Sequence, residues 1–79
     1  MRLDKYLKVS RLIKRRTIAN EACDAGRIMV NSKIAKASYD VKQGDIIEIK
    51  LGEKILKAQV LEVKEHVLKN DAMLMYKIL

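Results

Sequence analysis

Seventy-nine residues make at most one domain with a modest core, since a chain this short buries only about 60% of its unfolded surface. Charged residues make up 34% of it, and no apolar run approaches the roughly 20 residues that cross a bilayer, which excludes a helical membrane span here. The opening Met1-Arg2-Leu3-Asp4-Lys5 lacks the apolar stretch of a secretory signal, and the single Cys23 has no intramolecular disulfide partner; both point to a cytoplasmic setting.

The net charge is +7 and unevenly placed. Residues 1–36 hold ten Lys/Arg against three acids, whereas residues 37–79 hold seven of each, so the whole excess lies in the first half. A basic half beside a neutral half is the footprint of a surface that meets a polyanion. A charge that served solubility alone would gain nothing from this segregation.

Taken in chain order, residues 3–9 read as a short amphipathic helix. Leu3, Tyr6 and Leu7 fall at i, i+3 and i+4, while Arg2, Lys5 and Lys8 point away, and Asp4 suits the first turn. Leu12 and Ile13 sit in a basic connection. A second helix is predicted over residues 17–25, with Ile18, Ala19, Ala22 and Cys23 as its buried stripe and Gly26 ending it. The period then changes to two. Residues 28–30 and 33–35 form a hairpin about Asn31 and Ser32, residues 46–51 a strand, and residues 55–63 another, with a bulge near Val60 to reconcile its imperfect alternation. A short helix capped by Asn70 and Asp71 is predicted over residues 72–79.

The chemistry concentrates in Ser10-Arg11-Leu12-Ile13-Lys14-Arg15-Arg16-Thr17. Cations at the start of a helix oppose its macrodipole by about 0.3–1 kcal/mol each. They become sensible where a phosphate completes the site, held by free backbone N–H groups and by Arg forks. Arginine at 15 and 16 suits bidentate phosphate contacts and stacking on exposed bases. Elsewhere candidates are few. Cys23 reads as a core residue, His66 as a surface residue, Tyr6 and Tyr76 as core, and Tyr39 as packed in preference to stacking on a base. No metal-ligand set, phosphate loop or nucleophile–base pair is visible, so no cofactor and no enzyme are expected. A membrane-surface helix would need a broader apolar face, and a helix-turn-helix would need more side chains aimed at bases than the small residues of the second helix supply.

Several separated elements together resemble a known family. Arg2-Leu3-Asp4-Lys5-Tyr6-Leu7, Lys14-Arg15-Arg16-Thr17 with Ala19, Gly26-Arg27-Ile28-Met29-Val30-Asn31, Lys36-Ala37-Ser38 and Gly44-Asp45 are similar to the RNA-binding domain named after small-subunit ribosomal protein S-four, over residues 1–51. The resemblance implies an α+β fold: a two-helix hairpin on a small, mostly antiparallel sheet, here with a short C-terminal helix. It implies a single domain, 1–79, with an RNA-binding core at 1–51 followed by a last strand and helix at 52–79. The stand-alone length and the opening residues look like the ribosome-quality-control members of that family, relatives of heat-shock protein fifteen. That implies a monomer bound to large-subunit ribosomal RNA and peptidyl-tRNA, beside a tailing factor that recruits tRNA. Arg2 and Arg16 would contact RNA, with Lys5, Arg11, Lys14, Arg15, Thr17, Asn31, Lys33 and Lys36 completing the surface. The family has Gly after its Val-Asn pair, where this chain has Ser32; a positive φ there would cost Ser on the order of 1 kcal/mol.

Overall fold

A computed structural model describes every residue from Met1 to Leu79. Helix α1, Leu3–Val9, buries Leu3, Tyr6 and Leu7 completely, as their spacing requires. Helix α2, Arg16–Asp24, packs on it through Ala19 and Cys23. Ile18, expected in that stripe, is instead 49% exposed. One residue along a helix is a rotation of about 100°, and with small Ala19 and Cys23 in the contact Ile18 falls to its side. Gly26 takes φ +72° just beyond the helix, the left-handed ending anticipated for it.

The strands are β1 (Ile28–Val30), β2 (Lys33–Ile34), β3 (Ile46–Leu51), β4 (Lys54–Val60) and β5 (Tyr76–Ile78). They form one sheet in the order β2-β1-β3-β4-β5, antiparallel at every pairing. Val30 pairs with Lys33 across a two-residue turn in which Asn31 and Ser32 have φ of 52° and 69°. Two successive positive φ values are those of a type I′ turn, which matches the right-handed twist of the strands. Ser32 therefore does carry the positive φ that costs a residue other than Gly. Asn31 anchors the turn: its Nδ2 donates to Asp45 Oδ1 (3.0 Å) and its Oδ1 accepts from the Ile46 amide (3.0 Å). Asp45 also accepts from the Tyr39 hydroxyl (3.0 Å) and the Lys42 amide (2.9 Å), so two distant motif pieces meet at one carboxylate.

Two predicted elements come out differently. The strand expected over 55–63 stops at Val60, where Gly44 N–H donates to Val60 O and Val60 N–H to Asp45 O, both at 2.8 Å. Leu61 and Val63 lie beyond its end and are exposed, so no bulge is needed. The C-terminal helix is present but earlier and tighter: a 3-10 helix, Lys69–Met75, preceded by Leu68 rather than capped by Asn70 or Asp71. Residues 76–78, expected to be helical, instead pair as β5 with β4, with Val60 opposite Tyr76 and Ala58 opposite Ile78. The open edge of β4 offers ladder hydrogen bonds that helix ends lack, and Tyr and Ile favour a strand.

One apolar cluster joins both helices to one face of the sheet and takes in Val60 and Met75 as well. The Tyr6 hydroxyl donates to Met75 O at 2.8 Å, tying the C-terminal segment to α1.

Candidate nucleic-acid interface

The site is organised around an acid. Asp4 is 2% exposed at the start of α1. Its Oδ1 accepts from Arg2 Nε (3.2 Å) and from the Lys5 amide (2.8 Å). Its Oδ2 accepts from Asn20 Nδ2 (3.2 Å), and Arg16 Nε lies 3.5 Å away. One buried carboxylate thus fixes the root of two guanidiniums from different helices, each about half exposed. Burial alone would push the Asp4 carboxyl up. Hydrogen bonds from Arg2, Asn20 and the Lys5 amide, with the charge of Arg16, outweigh that and hold it below its ordinary 3.8. Arg2 is placed from the other side too: its backbone forms an antiparallel β-bridge with Asp40, while the Leu3 amide donates to Tyr39 O (2.8 Å) and the Met1 ammonium to Asp40 Oδ1 (2.7 Å).

Arg15, extended, precedes α2, which has no side-chain cap and no acid in its first turn. Lys14, Arg15, Arg16 and Thr17 are all exposed there. The free N–H groups of that turn face the same solvent as the four polar side chains, the arrangement that holds an anion.

Arg11, two residues past the end of α1, has φ 64°, a left-handed conformation that favours Gly. With Lys8, Lys14, Glu65 and His66 it lines a groove between the helical hairpin and the segment before the 3-10 helix. Arg11→Gly is expected to raise folding stability by up to about 1 kcal/mol by relieving the left-handed strain, while weakening RNA binding. Chemical denaturation alongside a binding titration reads both effects, and a gain in both would remove Arg11 from the interface.

Asn31, Lys33, Lys36 and Tyr39 line a second groove beside the β1–β2 hairpin. Through Ile34, Ala35, Lys36 and Ser38 it continues into a depression bounded by Arg2, Asn20 and Asp24. The structure therefore sorts the residues singled out from sequence into two neighbourhoods. Asn31, Lys33 and Lys36 share the second groove, Arg2 bounds the depression that continues it, and Arg16 is joined to Arg2 through Asp4; Arg11 and Lys14 share the first. Residues 14–16 connect the two. Lys5 turns to an ion pair with Glu65, and both polar side-chain atoms of Asn31 are engaged within the protein.

Three residues of these neighbourhoods carry little or no signal in the sequence. From sequence Asp4 reads only as a first-turn acid, although an aspartate two residues from Arg2 in a basic stretch is a visible signal. Lys8 reads from sequence as evenly balanced between a solvent face and an RNA contact, and His66 as a lone surface residue; nothing in their spacing brings them together. Cys23 is buried, and burial, with Asp4 and Asp24 nearby, pushes its thiol up to about 11, which keeps it protonated and inert.

The S4 domain family model matches residues 1–47. A Streptococcus pneumoniae protein named RQC P-site tRNA stabilizing factor is 57% identical over 79 residues, spanning 100% of this chain and 90% of that one. A Bacillus subtilis protein of the same name is 56% identical, spanning 100% and 92%. Among solved structures, heat shock protein 15 of Vibrio cholerae, described as trimeric, superposes with a TM-score of 0.91 at 25% identity, covering 100% of this chain and 81% of that one. With the sheet order, the helical hairpin and the basic face all in place, the chain belongs to the S4 domain family, among the small proteins that include the RQC P-site tRNA stabilizing factors.

Proposed function

We propose that this protein is a non-enzymatic RNA-binding factor of the ribosome that grips RNA phosphates with Arg2, Arg16 and the start of α2. The observation that carries the reading is the buried Asp4 holding two half-exposed guanidiniums beside an uncapped helix start crowded with bases. A free guanidinium loses rotamer freedom on binding; these two have lost part of it already, so more of each contact appears as affinity. The names of its relatives favour a P-site tRNA as the RNA met there, and the large subunit carrying peptidyl-tRNA is the particle on which that contact is expected. The finer role is support for C-terminal alanine tailing of stalled chains, alongside a factor that recruits tRNA, by a monomer in the cytoplasm. No helix is long and apolar enough to cross a membrane. A second reading is large-subunit recycling, which the resemblance to the heat-shock relatives implies; the superposition on heat shock protein 15 supports the likeness in fold.

Co-sedimentation with separated subunits, with and without peptidyl-tRNA, tests the proposal. Binding is expected to prefer large subunits carrying peptidyl-tRNA. Arg2→Ala and Arg16→Ala are each expected to lower the log–log salt slope by about 0.7–0.9, leaving thermal unfolding within a few degrees of wild type. Undiminished binding by both variants, or indifference to ribosomal particles at low salt, would refute it. Loss of tailed products in cells lacking the protein separates tailing from recycling.

A further inference from the structure

The neutrality of residues 37–79 in sequence conceals a segregation that folding creates. Strand register assigns each residue of the sheet to a face. Ile28, Val30, Ile47, Ile49 and Val60 point to the helices and are buried. The alternate positions form the opposite face, which no helix covers. Four cations stand on it, all exposed: Arg27, Lys50, Lys57 and Lys77.

Their order follows from the pairings. Ile28 is opposite Ile49, and the Lys50 amide donates to Arg27 O, so Arg27 and Lys50 are direct neighbours. Lys57 pairs with Glu48, one diagonal step from Lys50; Lys77 pairs with Gln59, one diagonal step from Lys57. Direct neighbours are about 5 Å apart at Cβ and diagonal ones about 7–8 Å. The result is one oblique row of positive charge across β1, β3, β4 and β5. Its single acid is Glu48, whose side chain is 18% exposed and lies 3.8 Å from Lys57. The other acids of this half stand off the face, at turns, in the 3-10 helix or in the segment before it: Asp40, Asp45, Glu53, Glu62, Glu65 and Asp71. Where the row begins, Arg27 and Lys50 flank a recess floored by Gly26 and Gly52, with no side chain at Gly52 to obstruct an approaching strand.

We propose that this outer sheet face is a second RNA-binding surface, distinct from the helical one, that follows a sugar–phosphate backbone with Arg27, Lys50, Lys57 and Lys77. Charges in a regular row fit a repeating polyanion better than they fit the mixed charges of a protein surface. The row carries no aromatic side chain for stacking and no amide beyond Gln59, so it reads backbone and not sequence. The inference rests on the ribosomal RNA-binding reading and extends it to a surface opposite the helices.

The test replaces Lys50, Lys57 and Lys77 together by Gln, with Lys→Arg at the same positions as the charge-preserving control. Binding to large subunits and to a protein-free RNA duplex is measured as a function of salt. The expected result is a salt slope shallower by about 2–3 and affinity lower on the order of tenfold at 0.1 M salt, on both targets. Unchanged thermal unfolding and restoration by Arg are expected as well. A Lys→Gln variant that binds both targets like wild type, while Arg16→Ala binds weakly, overturns the second surface and leaves the helical one standing. A loss seen on whole subunits but not on naked RNA also overturns it, because the row would then face a ribosomal protein. Failure of wild type to bind either target removes the parent reading itself.

Discussion

Asp4→Ala is expected to weaken RNA binding at least as much as removing either arginine it holds, and to lower stability by about 1–3 kcal/mol. The loss has two parts. The Lys5 amide and Asn20 Nδ2 lose a buried acceptor, and Arg2 and Arg16 lose the contact that orients them. Because both guanidiniums stay about half exposed, water screens the change and keeps it below the 3–5 kcal/mol of a fully buried pair. The sign of the pH dependence follows from the depressed carboxyl. A group with a folded-state pKa below its unfolded value stabilises the fold above the unfolded value and loses that contribution as pH falls through the folded one. This component is therefore complete at neutral pH and disappears below its ordinary 3.8. Asp4→Asn, which keeps an acceptor for Lys5 but not the charge, is expected to flatten that acid limb. Urea titrations between pH 2 and 7 measure it. An unchanged acid limb together with unchanged RNA affinity would show that Asp4 organises neither.

The core is the second place where one residue matters greatly. Tyr6→Ala is expected to destabilise by about 3–5 kcal/mol. Against a total of roughly 0.05–0.15 kcal/mol per residue, that removes a large share of the stability of a 79-residue chain. Tyr6 is fully buried in the cluster that joins helices and sheet. Tyr6→Phe is expected to cost only about 0.5–1.5 kcal/mol. The deleted hydroxyl leaves no orphan, since Met75 O also accepts from the amides of Leu61 (2.8 Å) and Glu62 (3.1 Å). Hydrogen exchange of Tyr6→Phe should quicken first in residues 61–79, the segment that this bond ties to α1. Equal losses for Phe and Ala would mean that the hydrogen bond, not the ring, holds the two parts together.

The two kinds of prediction rest on different levels of information. Local pattern in the chain was enough for both helices, for the hairpin at Asn31 and Ser32 and for the cationic stretch 11–17, because each depends on residues within one or two turns of each other. The run of matching motif pieces was enough for the family. Other features depend on partners that the linear order does not bring near. Whether Tyr76–Ile78 coils or extends is decided by the bare edge of β4, sixteen or more residues earlier. The meaning of Asp4 depends on Arg16 and Asn20 arriving from another helix, and Ile18 is exposed because small residues beside it make the interhelix contact. A charge count over 37–79 gives zero, yet the pleat sends Lys50, Lys57 and Lys77 to one face and leaves the acids mostly at turns and in the irregular segments beyond β4. Period and propensity act over a few residues, whereas register, burial and the field at a carboxylate are set by whatever the fold brings alongside.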